Sequence, residues 1–256
     1  MTRTLKTDAL ILHSLRWSES SKIIHLFTAE TGSLKAIARG VMRPKSSLRG
    51  VLENLNQVQL VLSVKETRGL QIISQAELVN PFNHIREDLE ATAMAFSMLE
   101  LLRSLIHENE ASHEIFRLTC GVLQQLNQPD NSHHLVYLLS FIVHLSEYLG
   151  FGWQVEECRK CGNIPESFPV KADIANGSIS CARCALPDLQ NQQSLSKLHW
   201  RLLFRLQQEP PSGLPALIAK IPAEMNMNPL LDLLLAHLNY HTEQSLQLKS
   251  LKMYLP

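Results

Sequence analysis

Short runs of alternating apolar and polar residues occupy the first 80 positions of the chain. The alternation has the period of two expected of half-buried strands, and turn-rich segments separate the runs. We predict five strands, at residues 7–15, 22–28, 33–39, 58–64 and 70–76. Five short strands favour a small closed barrel, for which the OB-fold is the commonest precedent. OB-folds bind single-stranded nucleic acid across one face, whereas other small barrels bind peptides.

From Asn80, Pro81 and Phe82 onward, the apolar residues recur at helical spacing. We predict helices at residues 86–107, 110–127, 132–149, 194–209, 214–221 and 227–246. The turn Pro129-Asp130-Asn131-Ser132 is expected to provide the N-cap of the third helix, and Pro229 suits the first turn of the last one. The predicted fold is α+β: an OB-fold β-barrel at residues 1–80, followed by an all-α domain at residues 81–256.

The stretch from residue 32 to residue 50 is basic and contains no acidic residue. Its basic residues are Lys35, Arg39, Arg43, Lys45 and Arg49. Gly40 and Pro44 divide the stretch into a short strand and an open loop, which we expect to stay out of the core. Basic side chains on such a loop can contact several phosphates of a nucleic acid at once. The alternative is that they are ordinary solvated surface charges.

The overall charge is balanced, with 24 basic and 24 acidic residues, but its distribution is uneven. The first 80 residues hold 11 Lys and Arg against 6 Asp and Glu, and the remainder holds 13 against 18. A polyanion would therefore be attracted to the N-terminal part.

Aromatic residues are scarce in the predicted barrel, where only Trp17 and Phe27 could stack on bases. In so small a barrel, a core position is the simpler expectation for both rings. Trp17 is the better candidate for an exposed stacking residue because it lies in a polar turn with Ser18, Glu19 and Ser20.

Four of the five cysteines form two Cys-x-x-Cys pairs, separated by 19 residues. The pairs are Cys158 with Cys161 and Cys181 with Cys184. This spacing is typical of a structural zinc site with four thiolate ligands, and we place the zinc-binding segment at about 154–188. Four protein ligands leave no position for a catalytic water, so zinc here would support folding. Two disulfides or a redox pair are the alternatives, and Cys120 is expected to be a buried apolar residue.

The sequence contains no apolar run long enough for a membrane span and no signal-peptide core at its start. Together with the paired cysteines, this favours a cytoplasmic protein. We find no phosphate-binding glycine loop, no His-Glu-x-x-His, no clustered carboxylates and no nucleophile elbow. We therefore expect a protein that is not an enzyme.

The chain resembles the bacterial RecO family of DNA repair proteins. The resemblance begins at Ala9-Leu10-Ile11-Leu12-His13-Ser14 and continues through Trp17-Ser18-Glu19-Ser20-Ser21-Lys22. It extends through Leu26–Gly32, Ala38–Gly40 and Lys45–Gly50. Gln75-Ala76-Glu77, Leu149-Gly150-Phe151 and Leu248-Lys249-Ser250 are later landmarks. Asn54-Leu55 replaces a Pro-Phe pair common in the family, and Met42 occupies a loop position that is often polar or basic.

The resemblance implies an N-terminal OB-fold, a helical domain and an inserted zinc-binding segment. It also implies a recombination mediator that binds single- and double-stranded DNA and anneals complementary strands. Such a mediator cooperates with RecR to load RecA onto DNA coated by single-strand binding protein, whose C-terminal tail would bind the helical domain. The expected location is the bacterial cytoplasm, at the nucleoid. The competing interpretation is a zinc-stabilised protein-interaction scaffold without direct DNA binding.

Overall fold

The barrel and the helices described below come from a computed structural model of the chain. It describes residues 3–65, 67–108, 111, 113–129, 131–185 and 191–254. Glu110, Asp130 and Pro187, which fall in predicted elements or turns, lie outside these residues. The chain divides into two compact units, residues 1–129 with 248–256, and residues 130–247.

Five strands form a closed barrel in the first unit, in the order β1-β2-β3-β5-β4. They are β1 (Arg3–Arg16), β2 (Lys22–Thr28), β3 (Gly32–Ala38), β4 (Gln57–Val64) and β5 (Gln71–Asn80). β1 pairs antiparallel with both β2 and β4, and the barrel closes where β3 runs parallel to β5 at Ala36 and Ile37. The predicted five-stranded OB-type fold is therefore confirmed.

The alternating sequence pattern places one set of apolar side chains inside the barrel. Ile11, Ile24, Leu26 and Leu60 are fully buried there. β1 is buried on its other face as well, because Leu10 and Leu12 have almost no exposed surface and α2 packs against this strand.

Eight α-helices of the described residues follow the barrel in the chain, and both units contain helices. They are α1 (Asn83–Glu87), α2 (Leu89–Leu105), α3 (His113–Leu126), α4 (Leu135–Tyr148), α5 (Lys197–Gln208), α6 (Leu214–Ile218), α7 (Asn228–Thr242) and α8 (Lys249–Tyr254). The first predicted helix, residues 86–107, is broken at Asp88, which leaves the helical conformation and accepts a hydrogen bond from the Ala91 amide as the N-cap of α2. The N-cap predicted in the turn at residues 129–132 is wrong, because α4 begins only after His134, which makes no side-chain capping bond.

A second sheet, which the sequence pattern did not predict, lies in the unit of residues 130–247. Its strands are β6 (Gln154–Cys158), β7 (Val170–Asp173), β8 (Ser178–Ser180) and β9 (Gln192–Leu195), in the order β6-β8-β7-β9. β9 occupies the start of the helix predicted at 194–209; that helix begins only at Lys197, where Ser196 caps it. This sheet carries the cysteine pairs.

Candidate nucleic-acid interface and metal centre

All six residues predicted to bind nucleic acid have exposed side chains. They are Lys35, Arg39, Arg43, Lys45, Arg49 and Trp17. Lys35 lies on β3, Arg39 follows the end of that strand, and the other three basic residues lie in the loop between β3 and β4. Trp17 follows β1 and is 64% exposed, whereas Phe27 is fully buried and contacts Phe116 at a ring-centroid distance of 5.7 Å. Trp17 is thus the one of the two rings that is accessible for stacking.

The basic loop, residues 40–50, is attached to the barrel by its apolar residues. Val41 and Leu48 are buried in the barrel core, together with Leu52 just beyond the loop. The expectation that the loop stays out of the core is therefore wrong for these side chains. Two basic residues lie between Val41 and Leu48 and a third follows Leu48, and all three side chains are exposed.

Successive turns give the loop its shape. The Arg43 amide donates to Gly40 O at 3.0 Å, the Ser46 amide to Arg43 O at 3.0 Å, and the Arg49 amide to Ser46 O at 3.3 Å. Gly40 has a φ of +68°, in the left-handed region that favours glycine. Loop residues joined by three consecutive turns have a defined conformation, so the cationic side chains start from fixed backbone positions.

A hydrogen bond from the Met42 amide to Ser20 O, 3.0 Å long, joins this loop to the turn that carries Trp17. The same turn is closed by the Trp17 amide, which donates to Ser21 O at 2.9 Å. The exposed indole and the start of the basic loop are therefore neighbouring features of one surface of the barrel.

Lys35 differs from the other basic residues because its Nζ atom lies 3.3 Å from a Glu108 carboxylate oxygen. Arg39, Arg43, Lys45 and Arg49 have no ion pair among the residues that the structure describes. The four unpaired cations are available to an anionic ligand, whereas Lys35 would have to exchange its partner.

The four predicted metal ligands come together in one cluster. The sulfur atoms of Cys158, Cys161, Cys181 and Cys184 all lie within 4.8 Å of one another, and the Cys161 and Cys181 sulfurs are 3.9 Å apart. Tetrahedral zinc thiolate coordination, with Zn–S near 2.3 Å, requires sulfur atoms about 3.8 Å apart. The spacing and the donor type therefore fit a metal ion, and none of these cysteines forms a disulfide.

Tight turns present each cysteine pair to the common centre. The Gly162 amide donates to Cys158 O at 2.8 Å, and the φ of Gly162 is +67°, as the turn after the first pair requires. In the second pair, the Cys184 amide donates to Cys181 O at 3.0 Å. β7 and β8 form the hairpin between the pairs, and its loop ends at Gly177, with a φ of +57°.

The electrostatics of the cluster favour a bound cation. Burial raises the pKa of the Cys158 thiol, but hydrogen bonds from the backbone amides of Cys181, Cys161 and Lys160 outweigh burial and lower this pKa to about 6. Hydrogen bonding to Cys181 and Cys161 raises the pKa of Cys184 to about 12. Four crowded thiols cannot all ionise unless a positive charge offsets them, and a bound metal ion would supply that charge.

The fold and this cluster define a class: proteins with an N-terminal five-stranded OB-type barrel and a helical region that holds a cluster of four cysteines spaced as metal ligands are. Two family models match the chain, "Recombination protein O N terminal" over residues 1–82 and "Recombination protein O C terminal" over residues 86–252. The chain therefore belongs to the RecO family. Among the residues described, no helix is both long enough and apolar enough to cross a bilayer.

Curated relatives agree with this assignment. The chain is 29% identical over 228 residues to the DNA repair protein RecO of Prosthecochloris aestuarii, a match that covers 86% of this chain and 85% of the relative. It is 29% identical over 217 residues to RecO of Chlorobium limicola, covering 82% and 83%. It is 31% identical over 180 residues to RecO of Myxococcus xanthus, covering 70% and 72%.

Proposed function

We propose that this protein is a DNA repair and recombination mediator that binds DNA directly and is not an enzyme. The observation that carries the proposal is a set of four cations without ion-pair partners in the described structure, three in the basic loop and Arg39 just before it, on a backbone anchored by Val41 and Leu48. Phosphate contacts supply most of the affinity of sequence-independent DNA binding, and this surface supplies such contacts.

The ligands under this proposal are both single- and double-stranded DNA. Cationic side chains contact phosphates in either form, whereas the exposed Trp17 ring stacks only on unpaired bases. We assign Arg39, Arg43, Lys45 and Arg49 to phosphate contacts and Trp17 to stacking. Lys35 is assigned a weaker contact because Glu108 already offsets its charge.

Family membership supports a wider role. We propose that the protein anneals complementary strands and cooperates with RecR to load RecA onto DNA coated by single-strand binding protein. The C-terminal tail of that coating protein is the proposed ligand of the helical region. The proposed location is the bacterial cytoplasm, at the nucleoid.

The metal is proposed to be one structural zinc ion held by Cys158, Cys161, Cys181 and Cys184. Zinc prefers four thiolates in a tetrahedral arrangement, and a site filled by four protein ligands has no open position for substrate. The ion would hold together the turns of the small sheet. The division into a barrel domain, residues 1–80, and a helical domain, residues 81–256, with the zinc-binding segment inserted in the helical domain, stays a prediction.

Charge reversal in the basic loop tests DNA binding. We expect the triple variant Arg43→Glu, Lys45→Glu, Arg49→Glu to bind single-stranded oligonucleotide more weakly, because each reversal removes a phosphate interaction. The salt dependence of binding should become flatter by about one unit of slope for each phosphate that is no longer neutralised. Fluorescence anisotropy at several salt concentrations measures both quantities.

A matched control changes the same net charge elsewhere. Arg117, Arg201 and Lys220 are exposed and have no ion pair in the described structure, and their reversal to Glu should affect binding far less. Equal weakening of binding in the two variants would show that only net charge matters. Absence of oligonucleotide binding by the wild-type protein at low salt would instead favour the protein-interaction scaffold.

A further inference from the structure

A cavity of about 720 Å³ lies within the unit of residues 130–247. One of its walls consists of β6, because all five residues of that strand, Gln154–Cys158, line it. Trp153 and Phe204 contribute aromatic surface, and Glu147 lines another part. The cavity is large enough for several residues of a peptide.

The charge of the cavity lining is predominantly negative. Glu147, Glu156 and Glu157 line it with exposed carboxylates, against a single basic residue, Arg159. None of the three carboxylates has an ion pair among the residues that the structure describes. Negative charge left uncompensated in a concave site attracts a cationic ligand and repels an anionic one.

The indole of Trp153 provides a second and independent feature. Trp153 is only 3% exposed, and its Nε1–H group has no hydrogen-bond partner in the described structure. By contrast, the Nε1–H of the other buried indole in this unit, Trp200, donates to Val155 O at 2.7 Å. Trp153 lines the cavity, and because an indole nitrogen can only donate, a ligand that reaches it must bring an acceptor such as a carbonyl oxygen.

β6 is also an edge strand of its sheet, since the strand order is β6-β8-β7-β9. An edge strand can add an extended peptide through main-chain hydrogen bonds, while neighbouring pockets select its side chains. The Val155 carbonyl already accepts the Trp200 indole bond, so a peptide would pair with the remaining backbone groups of this edge.

We propose that this cavity binds an extended segment of a partner protein that carries lysine or arginine. The cationic side chains lie against Glu156, Glu157 and Glu147, and a peptide carbonyl accepts the Trp153 Nε1–H hydrogen bond. A free polyamine matches the carboxylates but brings no carbonyl oxygen. An acidic peptide or a nucleic acid has the wrong charge. The proposal does not depend on DNA binding by the barrel.

Anisotropy with a fluorescein-labelled (Lys-Val)₃ peptide and the full chain, free of nucleic acid, tests the proposal. We expect the double variant Glu156→Gln, Glu157→Gln to bind the peptide about tenfold more weakly because it loses two carboxylates facing the ligand. The variant Trp153→Phe keeps an aromatic ring but loses the donor, and it should bind about fivefold more weakly. Thermal melting of each variant establishes that it is folded.

The charge control is the double variant Glu224→Gln, Asp232→Asn, whose two sites are exposed and lie outside the cavity lining. This control should bind the (Lys-Val)₃ peptide as the wild-type protein does. Equal weakening in both double variants would overturn the proposal, as would tighter binding of a (Glu-Val)₃ peptide. A third result would also overturn the proposal: an equimolar amount of spermine displaces the lysine peptide fully, and Trp153→Phe does not change peptide binding. The cavity would then be a general cation site.

Discussion

At the scale of single residues, His25 in the barrel has a pKa that burial and neighbouring charges shift far from its ordinary value. Its ring lies on β2, with Nε2 3.0 Å from the Ser33 hydroxyl oxygen. Burial and the nearby positive charges of Arg103 and Lys35 lower its pKa to about 4, although Glu108 acts in the opposite direction. His25 is therefore neutral in the folded protein at physiological pH.

A pH-dependent loss of stability follows from this shift. Below pH 6.5, the ordinary value for histidine, the unfolded chain takes up a proton that the folded barrel excludes until about pH 4. The free energy of unfolding should therefore decrease as the pH is lowered from 6.5 to about 4. The full shift corresponds to ~3 kcal/mol, but solvent screens the partly exposed ring, and we expect about 1 kcal/mol.

Urea unfolding of the wild-type protein and of a His25→Gln variant at neutral pH and at about pH 5 measures this contribution. Glutamine preserves a polar side chain near Ser33 but does not titrate. The stability difference between the two proteins should shrink or reverse at the lower pH. Parallel pH profiles for the two proteins would show that His25 makes no contribution.

Some residue conformations could not be predicted from sequence. Leu55 and Phe82 have φ values of +75° and +50°, which non-glycine residues seldom adopt, yet both side chains are fully buried. Leu55 is also one of the two residues that replace the family's common Pro-Phe pair. Burial of a large apolar side chain offsets the backbone strain, and the alternation of apolar residues contains no signal for it.

At the scale of elements, the strands were predicted within a few residues, whereas the second sheet was missed. The barrel strands alternate over seven or more residues, which a period of two describes well. β8 has three residues and β9 has four, too few to establish a period. The four clustered cysteines could be picked out from the sequence because Cys-x-x-Cys spacing is a local signal. The cavity residues Trp153, Glu156 and Glu157 were not identified, because they form no motif and the fold brings them against lining residues distant in the chain, such as Ser178 and Phe204.

The basic loop should depend on its buried anchor as well as on its charges. We expect Leu48→Ala to weaken oligonucleotide binding without any change in charge, because truncation of the buried side chain frees the loop to leave its bound conformation. The same change should lower the free energy of unfolding by about 2 kcal/mol or more.

Leu62→Ala is the matched control, because Leu62 occupies the same barrel core on β4 and lies outside the loop. Urea unfolding and anisotropy titrations of both variants separate the two effects. If both variants lose a similar amount of stability but only Leu48→Ala binds DNA more weakly, Leu48 anchors the basic loop. If both variants bind DNA equally well, the loop needs no anchor.

Removal of one thiolate should abolish metal binding. We expect Cys181→Ser to purify with little zinc and to unfold at a lower temperature, since metal binding and folding are coupled in such sites. Atomic absorption and thermal melting check the two effects.

Cys120→Ala provides the control for the removal of a cysteine. Cys120 is buried, and burial raises its pKa to about 12, so it remains a neutral thiol far from the range in which it could bind a metal. This variant should retain the full metal content and lose only a modest amount of stability from the smaller side chain. A Cys181→Ser protein with wild-type zinc content would contradict the four-thiolate site.

At the scale of the whole molecule, a net charge of zero conceals two units of opposite sign. The unit of residues 1–129 with 248–256 contains 16 basic and 13 acidic residues, and the unit of residues 130–247 contains 8 and 11. The first unit carries the basic loop, and the second carries the acidic cavity. A chain with this distribution can attract a polyanion and a cationic peptide to different surfaces at once.

The annealing of complementary strands that we propose for this protein would require only a positive surface and no catalysis. Two strands repel each other through their phosphates, and a cationic surface that contacts both lowers this repulsion and raises the rate at which they meet. We expect annealing of complementary oligonucleotides to slow steeply as salt is added, in parallel with the weakening of DNA binding, and to need no nucleotide cofactor. Fluorescence quenching between end-labelled strands measures the rate. The triple reversal of Arg43, Lys45 and Arg49 should slow annealing most at low salt. An annealing rate of the wild-type protein that does not change with salt would refute an electrostatic mechanism.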